Sequence, residues 1–280
     1  MRPISHLLMG NNPSVLWPSQ RVSHTHVIGQ PGTGKSRALE SWVMQDIHAG
    51  KGVGVIDPHG DLFKNLIQRL AAEPKSWKKL VIVDPLDEKW TACFNPLEAI
   101  QGLPMERVSQ FLTDVALKIW KIDSTAAPRL VWLLSNTFLA LSDLGLSLLE
   151  LQRFLLDPTF REGLLGRLKN EQARSYFQRE FPYRTGSVHQ WITPLLNKLG
   201  GLIFDPEVRL MLTSPSTINF RSLLDKGHIL LVNLPKGLLG EGTSALMAAF
   251  IVAHLQKAAL SRADVHNRRP YYLYLDEFQN

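Results

Sequence analysis

Residues 29–36 read GQPGTGKS, and no other stretch constrains the fold so tightly. The segment fits the phosphate-loop pattern G-x-x-x-x-G-K-S/T at every fixed position. That pattern does its work only between a strand and a helix, and the flanks agree. HTHVI (24–28) predicts a short β-strand, and the following SRALESWVMQDIHAG places Leu39, Trp42, Val43, Asp46 and Ile47 at helical spacing before Gly50. Gly29, Gly32 and Gly34 let the backbone adopt conformations that side chains block, so that successive N–H groups can turn toward phosphate oxygens at a helix N-terminus. The candidate nucleotide-binding residues are therefore Gly29, Gln30, Pro31, Gly32, Thr33, Gly34, Lys35, Ser36 and Arg37. Lys35 supplies a point charge for the β and γ phosphates of ATP, and the Ser36 hydroxyl is a candidate Mg²⁺ ligand.

A phosphate loop needs an acidic partner on a neighbouring strand, and the far end of the sequence offers one. YYLYLDEFQN (271–280) runs apolar residues directly into Asp276 and Glu277. Asp276 is the second candidate Mg²⁺ ligand. Glu277, one residue on, is placed to orient and deprotonate an attacking water. A glutamate there marks the additional-strand class of ATPases rather than the kinase or GTPase class.

Between these motifs the pattern changes twice. VGVID (53–57) and KLVIVD (79–84) read as buried strands separated by a helix near 61–72, a β-α-β arrangement that implies a parallel sheet with helices on both faces. From about residue 104 to 213 nearly everything has helical period. Val108, Phe111, Leu112, Val115 and Ile119 form one stripe, and Leu148, Leu149, Leu151, Leu155 and Leu156 crowd another. Strand HILLVNL (228–234) and helix 245–262 then resume the α/β pattern. The expected organisation is residues 1–103 as the first part of an α/β core, 104–220 as an inserted all-helical subdomain, and 221–280 as the second part of the core.

Composition bounds the class. The 280 residues are 45% hydrophobic, ample for a packed core. Cys93 is the one cysteine, which excludes an internal disulfide and a cysteine-rich zinc site and suits a cytoplasmic location. A net charge of +6 fits an anionic partner or plain solubility equally well. The most apolar run, ALMAAFIVA (245–253), is about half the ~20 residues that a bilayer requires, so no membrane span is expected.

Other residues carry two readings. Asp57, His59 and Asp61, at the end of a core strand, are candidates to touch the active-site water or a neighbouring subunit; the other reading is that Asp57-Pro58 and Gly60 shape a turn and Asp61 caps the next helix, the reading favoured for Asp61, with Asp57 the candidate active-site neighbour. His24, His26 and His59 lack carboxylate or cysteine partners at ligand spacing, which speaks against a metal. The loop from Lys236 to Thr243 is either a ligand-binding edge of the sheet or an ordinary turn. Arg129, Arg153, Arg161, Arg167, Arg174, Arg179 and Arg184 read as a solvated helical face, some of them facing phosphates. Trp120, Trp132 and Trp191 are expected in the core, and Arg209 and Arg221 are open to a role across a subunit boundary.

Taken in order, H-x-H-V-I-G-x-x-G-T-G-K-S, VIDPHGDL, FNPL, LLVNLPKGLLGEGTSAL and LYLDEFQN resemble the HerA/FtsK superfamily of DNA-pumping ATPases, and within it the coupling proteins of conjugative type IV secretion (TraD/TraG-like). The resemblance covers about Thr25 to Asn280. It implies a RecA-like P-loop motor with an inserted helical subdomain, a homo-hexameric ring, ATP and Mg²⁺ as cofactors, and DNA as cargo. A DNA-processing relaxase complex and a secretion channel are the implied partners, at the inner face of the cell membrane through other parts or partners. Lys35, Ser36, Asp276 and Glu277 carry over to the family's nucleotide and hydrolysis roles. Such motors continue past the acid pair, so a C-terminally truncated core is expected, with the sensor and the arginine acting in trans beyond Asn280. A secretion or pilus-assembly ATPase acting on protein cargo, and a nucleotide-gated interaction module without turnover, are the alternative readings.

Overall fold

The computed structural model describes residues 4–9, 12–16, 21, 23–30, 32–87, 89, 91–99, 103–181 and 188–277. The chain opens with a two-stranded antiparallel hairpin, β1 (Ile4–Met9) and β2 (Asn12–Leu16). Its signal in the sequence is Gly10-Asn11, two turn-forming residues between the strands. The main body follows as α1 (Lys35–His48), β3 (Gly52–Asp57), α2 (Asp61–Ala71), α3 (Pro74–Trp77) and β4 (Leu80–Val83). Then come the helices α4 (Met105–Ile119), α5 (Pro128–Asp143), α6 (Leu149–Leu156), α7 (Pro158–Leu165), α8 (Glu171–Ser175), α9 (Val188–Phe204), α10 (Pro206–Thr213) and α11 (Phe220–Lys226). The α/β pattern returns with β5 (Ile229–Asn233), α12 (Lys236–Leu239), α13 (Glu241–Ser261) and β6 (Tyr271–Leu275).

Strands β4, β5, β3 and β6 lie side by side in that order, all parallel. The period of two along each strand sorts its side chains between two apolar layers. Val53, Val55, Ile229, Leu231 and Tyr274 face a cluster with Trp42, Val43 and Ile47 of α1 and Leu62, Phe63 and Leu66 of α2. Ile56, Val83, Leu230 and Val232 face the opposite way, into a cluster that also takes in α13 and most of the helical segment. The helices between β4 and β5 thus share one continuous core with a face of the sheet.

Several expectations are corrected. Residues 24–28 form no strand; they are irregular and largely exposed, with Ile28 84% exposed. A β-favouring run becomes a strand only when a neighbour offers a backbone ladder. Here only Val27 of the segment packs against the cluster of α1 and α2, and among the described strands β6 is an edge, with Leu273 38% and Leu275 37% exposed. In the second leucine cluster, Leu148, Leu151 and Leu155 share the buried face, whereas Leu149 and Leu156, off that face by the helical period, point outward. Trp132 is 44% exposed, its indole N–H donating to Glu180, so it is a rim residue and not core. Arg161 is not on a solvated face: it is 1% exposed, donating to the carbonyls of Phe154 and Leu155 at the end of α6 and lying over the Phe181 ring. There it neutralises the negative end of that helix.

Arg221 bonds within its own chain, to Asp225, Asp264 and the Ser261 carbonyl. By length and composition, residues 241–264 could cross a bilayer, contrary to the expectation of no such segment. Its most apolar 18 residues are 56% buried, their apolar side chains packing into the core on the insertion side of the sheet. We therefore read α13 as a core helix. Pro31, Pro182 and Arg184 lie outside the described residues, as does the side chain of Trp191.

Candidate nucleotide site

The glycine loop stands where its sequence places it, directly before α1. Gly32 and Gly34 have φ of 80° and 90°, the left-handed region that a Cβ disfavours, and Gly34 is the residue from which α1 starts. A Cβ at Gly29 would come within 2.7 Å of Thr33 Oγ1, so a side chain there would collide with the loop's own hydroxyl. Thr33 closes the turn by donating to the Gln30 carbonyl through both its amide (3.3 Å) and its hydroxyl (2.7 Å). The Lys35 ammonium folds back along the loop and donates to the carbonyls of Gly29 (2.7 Å) and Gln30 (3.1 Å). Arg37 points outward, its side chain 77% exposed and 3.6 Å from Glu40.

The far end of the sequence meets this loop. The Ser36 hydroxyl donates to Asp276 Oδ2 at 3.5 Å, joining positions 240 residues apart. What brings them together is the parallel pairing of β6 with β3: Ile56 stands opposite Leu275, and the Asp276 amide continues the ladder to the Ile56 carbonyl. Burial and the nearby Asp57 charge raise the pKa of the Asp276 carboxyl. Asp57 itself is fully buried and accepts from the amides of His59 (2.8 Å) and Phe63 (2.9 Å). Of its two readings it therefore fulfils the structural one directly, fixing the entry to α2, while its charge is felt at the site; Asp61 is not the expected cap, because Gly60 stands at the cap position and the side-chain bond to the first turn comes from Asp57.

Glu277 takes up the left-handed region, φ 47°, which few residues other than glycine adopt. Its Oε2 lies 2.5 Å from His59 Nε2 and 3.5 Å from Lys236 Nζ. The hydrogen bond from His59 is the main reason its pKa falls below the ordinary glutamate value. The sequence singles out His59 and the loop that begins at Lys236 without pairing either with Glu277, although a signal exists: Pro58-His59-Gly60 and Pro235-Lys236-Gly237 repeat one pattern, proline, base, glycine, just past two adjacent core strands.

Behind the loop, Arg21 forms a bidentate pair with Asp46 of α1 (2.7 and 2.6 Å), donates to the Tyr274 hydroxyl and lies 3.6 Å from the centre of the Tyr272 ring. Tyr274 also donates to Asp46 at 2.6 Å. One buried cluster thereby joins the segment entering the loop, the helix leaving it, and the strand that carries Asp276.

The fold is a RecA-like P-loop core with helices set between its strands. Solved structures of the bacterial conjugative coupling protein TrwB share it. TrwB bound to the non-hydrolysable ATP analogue ADPNP superposes with a TM-score of 0.58 at 21% identity, over 89% of this chain and 55% of TrwB. Its complex with ADP and Mg²⁺ gives 0.54 at 22%, over 88% and 54%, and the unbound monoclinic form gives 0.55 at 21%, over 88% and 52%. This chain thus spans about half the length of those it matches. No protein-family model and no curated protein matches the sequence.

Proposed function

We propose that this chain is the ATP-binding and ATP-hydrolysing motor core of a conjugative coupling protein, working on DNA as part of a homo-hexameric ring at the cytoplasmic face of the membrane. The observation that carries the nucleotide part is the convergence of Ser36 and Asp276 beside a complete glycine loop. In support, TrwB, which shares the fold, has been solved with ADPNP and with ADP and Mg²⁺. DNA, the ring, the relaxase complex and the secretion channel rest on the resemblance of the motifs.

In this reading the loop amides and Lys35 hold the phosphates, and Ser36 and Asp276 hold Mg²⁺. Glu277 orients the attacking water. The residues fit the ion. Asp57, Asp276 and Glu277 concentrate negative charge that a divalent cation offsets. Among the described residues no set of three or more His, Cys, Asp or Glu side chains is arranged to hold a metal unaided. Mg²⁺ asks for no such set, because it commonly binds through one or two protein oxygens, substrate phosphates and water. When bound, it neutralises charge on the phosphates.

ATP turnover by the full-length protein, measured with and without DNA, tests this reading. Wild type should hydrolyse ATP, and DNA should stimulate it. Lys35→Ala should lose nucleotide binding. Glu277→Gln should keep binding while kcat falls by roughly a hundredfold or more, the scale of losing a general base. Equal turnover by wild type and Glu277→Gln would remove the hydrolytic role; absence of stimulation by any DNA would favour a protein cargo.

A further inference from the structure

The two bases on Glu277 come from different strands and are locked to one another. His59 follows β3, its amide fixed by the buried Asp57 carboxylate. Lys236 follows β5, and its amide donates to the Pro58 carbonyl at 3.0 Å, while the Leu234 amide donates to the Asp57 carbonyl at 2.9 Å. Two adjacent parallel strands therefore deliver two basic side chains, at fixed spacing, to the same carboxylate oxygen just past a third strand. The residue they hold sits in the left-handed backbone region, sparsely populated by residues other than glycine. Among the described residues neither base makes a second ion pair, although the His59 ring also lies close enough to Asp276 to influence it.

We infer that His59 and Lys236 are positioning residues of the hydrolytic reaction: a two-point clamp that fixes Glu277 Oε2 and so aims the remaining oxygen of the carboxylate. The inference rests on the hydrolytic reading above. Its logic is that of preorganisation: a carboxylate that must orient one water loses rate when it can swing through several rotamers. Lys236 begins α12, the short helix between β5 and α13 on which Leu238 is 74% exposed.

The test is steady-state kinetics on the full-length protein, for Lys236→Ala, Lys236→Arg, His59→Ala and His59→Gln, each alone and combined with Glu277→Gln. Lys236→Ala and His59→Ala should lower kcat roughly ten- to a hundredfold, the cost of a misplaced catalytic group, with KM for ATP and affinity for a non-hydrolysable analogue unchanged. Lys236→Arg keeps the charge and His59→Gln keeps a donor at the same reach, so both should recover most of the rate. In the Glu277→Gln background neither alanine should cost anything further, because the group they aim is gone. The clamp is overturned if the alanine variants of an active enzyme turn over as fast as wild type or faster, or if their losses persist undiminished beside Glu277→Gln. A wild type that binds ATP but never hydrolyses it overturns the hydrolytic reading, and this inference with it.

Discussion

Single residues here do two different kinds of work, shown by His254 and Glu277. Glu277 lies at the surface of the site and is shaped by charge. His254 lies in the core, 3% exposed, its Nδ1–H donating to the Phe250 carbonyl at 3.0 Å and its ring against Phe94 and Phe220. Burial, reinforced by the charge of Lys257, pushes its pKa down to about 3. The sign of the consequence follows from proton binding. Below about pH 6.5 the unfolded chain protonates this histidine and the folded one does not, so stability is lost as pH falls from 6.5 toward 3. The slope for one such proton is about 1.4 kcal/mol per pH unit, hence about 2 kcal/mol between pH 6.5 and 5. His254→Phe should remove that part of the dependence. Urea midpoints of wild type and variant at the two pH values check it; identical slopes would mean the imidazole is accessible to protons in the folded state. Lys257, 3% exposed and pushed down by burial to about 7, acts with the same sign in the higher window from 10.5 to 7.

At the scale of elements, the question is what holds the loop, α1 and β6 in register. The parallel ladder fixes β6 against β3, but no ladder fixes the segment that enters the glycine loop. Arg21 does so, through Asp46 and Tyr274, with side chains 12% and 4% exposed in the ion pair. Truncating one partner of a buried pair leaves the other charged and poorly solvated, which costs about 3–5 kcal/mol. Arg21→Ala should therefore destabilise by roughly that amount, and less when Asp46→Asn is already present, by denaturant titration. A loss under about 0.5 kcal/mol, typical of an exposed pair, would show the cluster to be incidental. This arrangement also marks where sequence reading stops. Asp46 falls on the apolar stripe of α1, and nothing in the spacing says that an arginine ahead of the loop neutralises it. For the same reason 24–28 looks like a strand: its composition is right, while the missing ladder is a property of its neighbours. Local pattern sufficed for α1, β3 and β5, whose periodicity and flanking glycines agree with their burial. It failed for Arg161, because a buried arginine satisfied by helix-end carbonyls has the same sequence signature as an exposed one.

For the whole molecule, the essential fact is that a loop near residue 30 and an acid pair near residue 276 occupy one place. Their types and order were legible as a phosphate loop and a strand ending in Asp-Glu. Their proximity was an expectation, and the pairing of β6 with β3 in the strand order β4-β5-β3-β6 meets it. His59 and Lys236 were not legible as partners of Glu277, since that contact depends on two strand tips lying side by side. The central claim is that Ser36 and Asp276 share one metal–nucleotide complex. Mn²⁺ in place of Mg²⁺ reports on it directly: electron paramagnetic resonance of the full-length protein with ADPNP should show one tightly bound Mn²⁺ per chain, lost in Ser36→Ala and in Asp276→Asn alike. Full Mn²⁺ binding by Asp276→Asn, with nucleotide still held by the loop, would contradict it.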